Sequence, residues 1–510
     1  MGEKRGWRYD RVLLAILICS LLLRIKLVLS GGQFFFPDEV RYEAASVAVR
    51  NLLIGDIFNS LRALHSAEHF LFKVAGVVPA MLQLVLGPSP KIPAIFFSLF
   101  SVVSLWLIWK IARRAGGSER AATLAAGLFA LSTTQFYFSR HLVPYDLAMA
   151  IGLLSLYLGQ RSPARAIDSI LCGFTAACCF LTYNGYWVLG GLAILLHIAQ
   201  HWQSLARAVR LAGLSLVGLV VPIAAIIVFS RIAGGDLLGQ FVAFSKTVVQ
   251  GDFSEGWILP LKYLWHSEYL LALPWVAALI GGLWETSLGR ASRPVRQAVV
   301  AIIFIYGVLI LFSVFLGKFV VYGRLARQLV PFLSLLSASY IDRLLTSRPK
   351  IGPLIAAVLL VVIGQATCNF RQVLALTFPS EFMEMASEAT RERFTMRPSD
   401  LYGTVPPPTD SGSLVERFPM NTPGSWSEAP VTAESENYQV LFAHFIYPAP
   451  LPATESGEII LQRDHPQQFL PLQYEGGTPE DRRRFRVVDF RMKLVRRSGP
   501  RLPSSVEGRE

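Results

Sequence analysis

Residues Gln33-Phe34-Phe35-Phe36-Pro37-Asp38-Glu39-Val40-Arg41-Tyr42 set two adjacent carboxylates directly behind an aromatic run. Acids at a lipid boundary are costly to desolvate unless they are paired, hydrated or used. Asp38 and Glu39 are therefore candidates for proton transfer or for gripping a divalent ion. A plain helix start fits the same letters, with Pro37 in the first turn and both acids at its positive end. Asp146, closing Ser139-Arg140-His141-Leu142-Val143-Pro144-Tyr145-Asp146, is a further acid, set awkwardly at the head of an apolar run. Arg324 and Arg327, in Tyr322-Gly323-Arg324-Leu325-Ala326-Arg327-Gln328-Leu329-Val330-Pro331, precede another such run. There they could grip an anion or simply anchor a helix at the interface. His65 and His69 stand four apart and could share a metal on one helix face, but no third ligand lies in register.

The elements that must position these residues are apolar. Of 510 residues 53% are hydrophobic and only 16% charged, against about half and a quarter in soluble domains, so a soluble fold is not expected. Apolar runs of about 17 to 22 residues, long enough to cross a bilayer, fall near 12–30, 92–110, 121–138, 143–159, 167–183, 186–200, 211–230, 268–285, 298–316, 326–341 and 352–368. The net charge of +13 sits in short clusters between them, without the aromatic interleaving of a nucleic-acid surface. With the N-terminus inside, every inner loop is basic: Arg113, Arg114 and Arg120; Arg161 and Arg165; Arg207 and Arg210; Arg290, Arg293 and Arg296; Arg343, Arg348 and Lys350. That is the positive-inside pattern. Lys4, Arg5, Arg8 and Arg11 before the first run read as an uncleaved signal anchor. Cys19, Cys172, Cys178, Cys179 and Cys368 all lie in apolar segments and read as small core residues.

Three stretches then face outward. In 31–91, Pro37 to Gly55 and His65 to Leu86 read as amphipathic helices at the interface. Segment 231–267, with Gly234-Gly235, Gly251-Asp252 and Gly256-Trp257, reads as a mobile cover for a cavity, since loops of this length are functional or disordered. Beyond 369, prolines separate short alternating runs at Tyr438 to Tyr447, Glu458 to Gln462 and Phe485 to Val495, the pattern of a small strand-rich domain. The expected architecture is an all-α polytopic membrane domain of about eleven spans over 1–368, followed by a small α/β or β-rich soluble domain over 369–510. A miscount of one span would place that domain inside.

The Asp38-Glu39 pair with Tyr42 three residues after the Glu, in the first outward loop of such a chain, resembles the C-type (GT-C) membrane glycosyltransferases. The closest patterns are the aminoarabinose transferases acting on lipid A and the protein O-mannosyltransferases. The resemblance runs loosely over roughly residues 10 to 345. It implies a polyprenyl-phosphate sugar donor, a catalytic base at Asp38, and an extracytoplasmic site in a bacterial-type inner (plasma) membrane, serving the cell envelope. Arg24 and Lys26 match a recurrent family arginine near the end of the first span, although ordinary snorkelling fits them too. Arg140 and Asp146 match an Arg–Asp pair in the second outward loop, and Arg324 with Arg327 the Arg/Tyr-rich entry to a late helix. His65-Ser66-Ala67-Glu68-His69-Phe70-Leu71-Phe72-Lys73 stands where the family carries Lys-Pro-Pro or His-Pro-Pro. His69 or Lys73 would substitute as a phosphate contact. Leu181-Thr182-Tyr183-Asn184-Gly185-Tyr186-Trp187 lacks the lysine of the family's Thr-Lys-Gly, and its aromatics also fit an interfacial belt.

The implied reaction needs a base for the acceptor hydroxyl and cations for the departing phosphate. Asp38, Glu39 and Asp146 are the candidate catalytic carboxylates. Arg324, Arg327, Lys318, His69, Lys73 and Arg140 are the candidate phosphate contacts, with Arg231, Lys246 and Lys262 as alternates. No organic cofactor is implied; a divalent ion on Asp38, Glu39 or Asp146 stays open. Neighbouring acids point in different directions on a helix and cannot flank one carbon, so inversion is expected. A transporter or flippase of lipid-linked sugars is the main alternative, and would place charges or broken helices near mid-membrane in matched halves. A membrane scaffold or a polysaccharide ligase are further readings. The sugar and the acceptor, whether glycolipid, glycan or protein, are not legible.

Overall fold

The computed structural model describes residues 3–33, 37–65, 69–87, 89–161, 165–200, 202–237, 239–240, 258–311, 323–391, 431–434, 438–443, 458–464 and 491–496. The chain opens with α1 (Glu3–Leu29), a 3-10 helix (Pro37–Tyr42), α2 (Glu43–Leu53), α3 (Ile57–Leu64) and α4 (Phe70–Leu86). The bundle continues through α5 (Lys91–Arg114), α6 (Glu119–Ala130), α7 (Thr133–Phe138), α8 (Tyr145–Gly159), α9 (Ala166–Thr182), α10 (Trp187–Ala199) and α11 (Leu205–Ile232). After it come α12 (Leu259–Glu268), α13 (Ala272–Ser287), α14 (Arg293–Ile310), a 3-10 helix (Gly323–Leu329), α15 (Val330–Ser347), α16 (Gly352–Leu374) and α17 (Pro379–Thr390). Four strands, β1 (Val431–Glu434), β2 (Tyr438–Ala443), β3 (Glu458–Asp464) and β4 (Arg491–Arg496), form an antiparallel sheet in the order β1-β2-β4-β3. The fold is thus an all-α polytopic membrane architecture with a small sheet.

Among the described residues seven helical stretches are long and apolar enough to cross a membrane, from Tyr9–Leu29 to Pro349–Leu374. The expected runs at 143–159, 167–183 and 186–200 are shorter apolar helices, as is α4. The expected run 121–138 is broken: α6 ends at Ala130, and Ser132 adopts an extended conformation before α7 begins. Ser132, Thr133 and Thr134 compete for backbone hydrogen bonds and favour caps over helix interiors, which explains the break.

Small residues let helices approach closely. A Cβ on Gly173 of α9 would lie 1.9 Å from the Ser215 carbonyl oxygen, and one on Gly218 of α11 would lie 2.0 Å from that of Ile170. The two helices therefore meet backbone to backbone, as in small-residue packing in bilayers. Cys172 and Cys179 lie in the core, but Cys19 and Cys368 are exposed on apolar helices. Those two do not serve as core residues, since the outer surface of a membrane bundle is as apolar as its interior.

Polar contacts define two opposite faces. On one, Arg120 pairs with Asp342 at 2.5 Å, Arg161 with Asp168 at 3.2 Å, Arg343 with Glu285 at 2.5 Å, and Arg293 donates to Gln200 at 3.0 Å. This face gathers the basic loops. The other holds the ends of α1 and α16, the α7–α8 turn and the start of α17. Residues after α16 therefore emerge beside the first loop. The inner side of the sheet, Met492 and Leu494, is buried with Phe378, Phe382 and Ala386 in the same core as the helices.

Candidate functional site

The first loop is pinned by backbone geometry. Gly31 and Gly32 adopt φ of 92° and 96°, conformations that favour glycine. Side chains there would also collide with Glu381 and Arg140. Arg140, fully buried, donates from Nε to the Gly31 carbonyl at 2.8 Å, from Nη1 to Val373 at 2.7 Å and from Nη2 to Ser30 at 3.3 Å. Its guanidinium lies 4.5 Å from the Phe378 ring centre. Burial lowers it to about 10, opposed by the charges of Glu381, Tyr137 and Glu39, so it stays charged at neutral pH. Glu381 accepts from the Gly32 N–H at 2.8 Å, and Gln33 donates to the Arg140 carbonyl at 2.8 Å. Arg140, expected on the donor phosphate, bridges the ends of α1 and α16 through these carbonyls.

Glu39 sits on the 3-10 helix Pro37–Tyr42, fully buried, and accepts the Leu142 N–H at 2.7 Å. His141 lies 3.4 Å from it and donates from Nδ1 to the Gly32 carbonyl at 2.6 Å. A carboxylate so engaged ties the 3-10 helix to the α7–α8 turn. Asp38 belongs to the same 3-10 helix, and its side chain lies outside the described set. Arg24, one of the largest buried side chains, donates from Nε to Ser101 Oγ at 2.7 Å and to the Ser20 carbonyl at 3.2 Å. It does not snorkel, whereas Lys26 is exposed.

Asp146 and Arg327 meet at 2.6 Å, with side-chain exposures of 4% and 0%. Arg327 Nη2 also donates to Gln135 Oε1 at 3.0 Å, and its guanidinium lies 4.9 Å from the Phe138 ring centre. Arg324, only half-buried, donates to the Tyr145 hydroxyl and lies 5.1 and 6.0 Å from the Tyr145 and Tyr183 ring centres. Tyr183 in turn stacks on His69 at 5.2 Å and 10°. His69 takes a left-handed φ of 51° at the head of α4, rare for a non-glycine residue. Lys73, one turn further along, is buried.

Expected site residues from three distant segments are thus brought together: Asp146 on α8, Arg324 and Arg327 on the second 3-10 helix, and His69 at the head of α4. Arg231 and Lys262 are exposed, and Lys318, Lys246 and Glu68 lie outside the described residues, as do Gly251 to Trp257. His65 Nδ1 contacts the Arg62 carbonyl. Among the described residues no group of three His, Cys, Asp or Glu side chains could hold a metal ion.

Several participants were missed. Glu268, buried at the end of α12, accepts from Ser132 Oγ at 2.7 Å, Thr133 N at 2.8 Å, Thr134 N at 3.0 Å and Thr134 Oγ1 at 2.7 Å. It stands as a lone acid at the head of the expected run 268–285, the same signal that marked Asp146. Gln135 sits inside an apolar run and Tyr145 beside Asp146; their roles come only from tertiary contact.

No protein-family model and no curated protein sequence matches this chain. Among solved structures it is similar to ArnT from Cupriavidus metallidurans bound to undecaprenyl phosphate, at 17% identity over 67% of this chain and 61% of that one, with a TM-score of 0.48. It is also similar to the archaeal oligosaccharyltransferase AglB from Archaeoglobus fulgidus in complex with an inhibitory peptide and a dolichol-phosphate. There the identity is 12% over 79% of this chain and 59% of that one, with a TM-score of 0.44. This chain therefore spans 61% and 59% of the length of those two proteins.

Proposed function

We propose that this chain is a C-type membrane glycosyltransferase. In this reading it moves a hexosyl or pentosyl group from a polyprenyl-phosphate donor to an acceptor hydroxyl at the outer membrane face, with inversion. The observation that carries the reading is the convergence of Arg324 and Arg327 on Tyr145 and Asp146. It occurs at the head of α8, which follows directly on the turn that fixes the Asp38 helix through Glu39.

Asp38 removes the acceptor proton as the acceptor oxygen attacks the anomeric carbon. The bond from that carbon to the phosphate oxygen breaks, and the phosphate departs with the electron pair. Arg324, the half-buried member of the pair, meets the departing charge, with His69 stacked on the Tyr183 ring and Lys73 buried one turn further along α4. Charge-assisted bonds from a guanidinium suit that task. Arg327 is bound to Asp146 and holds Arg324's helix in place. Glu39 and Asp146 accept from Leu142 N–H and from Arg327, and so hold the turn and the second 3-10 helix around the site.

The residues after 368 emerge on the site face while the basic loops gather on the other. By the positive-inside rule the site and the segment 369–510 are then extracytoplasmic in a bacterial-type inner membrane. The test incubates purified protein with a panel of polyprenyl-phosphate sugars. Free polyprenyl phosphate is expected from the native chain and not from Asp38→Asn. Equal turnover by the variant sinks the base, and a product of retained anomeric configuration by NMR sinks inversion.

A further inference from the structure

We infer that Glu268 is a positioning residue for this site, an inference that rests on the glycosyltransferase reading for its kinetic part only. α7 has six residues, too few to hold its own shape, because a short helix gains too little from its internal hydrogen bonds. Its first turn is held from outside. Glu268 takes two backbone N–H groups and two hydroxyls there, and Asn369 of α16 donates to Thr133 Oγ1 at 2.9 Å. The carboxylate thus stands in for the cap that Ser132 does not provide from its own side chain.

What α7 carries explains why this matters. Gln135 holds Arg327 from the first half of the helix, and Arg327 holds Asp146. Two residues past the other end, Arg140 and His141 grip Ser30, Gly31 and Gly32, and Leu142 takes Glu39. Both halves of the site, the guanidiniums and the helix that bears Asp38, therefore hang on one short element whose N-terminus is set by Glu268. Glu268 directly precedes Tyr269, a non-glycine residue at φ 48°, so the carboxylate is delivered from a backbone fixed in a sparsely populated conformation.

The experiment compares the full-length native chain with Glu268→Gln and, as a milder change that keeps the carboxylate, Thr134→Val. Hydrogen exchange is read by mass spectrometry without substrate. Faster exchange is expected in both variants over 132–138, spreading to 139–146 and 323–329; a change confined to 259–272, or none, overturns the inference. With the donor that the native chain turns over, Glu268→Gln is expected to lose about 10²-fold in kcat/KM, the scale of a reacting group misplaced by about an ångström. Its combination with Gln135→Ala is expected to lose less than the product of the single losses. Native kinetics in Glu268→Gln, or a fully multiplicative double variant, overturns it. If the native chain turns over no donor, the functional reading falls and the exchange data alone decide the role of Glu268.

Discussion

Replacing Asp146 by Asn keeps the shape of the side chain and removes the charge that faces Arg327 at 2.6 Å. Both partners are shielded from water, with side-chain exposures of 4% and 0%. Two unit charges 4 Å apart at an effective dielectric near 20 attract by about 4 kcal/mol, and breaking a buried pair from one side costs ~3–5 kcal/mol. Unfolding entropy of about 2.1 cal/mol/K per residue, taken over 510 residues, turns about 4 kcal/mol into a drop of about 4 °C in Tm. The chain supplies its own probe: Cys172 and Cys179 are buried, while Cys19 and Cys368 give a constant baseline. A thiol-reactive dye in detergent therefore reports melting. Asp146→Asn combined with Arg327→Gln should melt above the single variant, because the orphaned guanidinium is gone. An unchanged Tm in Asp146→Asn, or a double variant as low as the sum of its parts, refutes the reasoning.

Other outcomes follow from the same contacts. Gly218→Ala drives a methyl group into the Ile170 carbonyl and should cost ~1–3 kcal/mol, the usual penalty of overpacking, read as a lower Tm by the same dye. Arg140→Ala removes three bonds to backbone carbonyls. It should open the α16–α17 turn to protease, with cleavage near 375–380 as the readout and an unchanged digestion pattern as the contrary result. Arg324→Gln should weaken binding of polyprenyl phosphate about tenfold or more, since a charged hydrogen bond contributes ~1.5–3 kcal/mol. Titration of the purified protein checks this, and equal affinity removes Arg324 from the phosphate.

Much of the bundle could be read from hydropathy, because burying backbone polar groups in lipid leaves few options besides helices. The break at Ser132 escaped that reading: Leu131 and Phe136 keep the run apolar, while the acid that stabilises the break arrives from 268. Asp146, Arg324 and Arg327 stood out because charges beside apolar helices are costly. That Arg327 binds Asp146, that Arg324 binds Tyr145, and that Arg140 binds carbonyls depended on a register between distant helices that no local pattern encodes. Glu39 and Asp38 look alike in sequence, and the bond that Glu39 accepts from Leu142 N–H depends on a turn 103 residues away.

Arg140 joins Ser30 and Gly31 to Val373, a residue 233 positions downstream. At roughly 5–20 residues per second, a ribosome needs about ten to fifty seconds to make the intervening chain. During that interval Nη1 of the guanidinium must keep water or lipid phosphate as temporary company, while the bonds to Ser30 and Gly31 and the Glu39–Leu142 latch can already form. Completion of the Arg140 clasp therefore waits on insertion of one of the last apolar segments, so nascent chains halted before Val373 should expose Arg140 to arginine-directed reagents that the finished protein excludes.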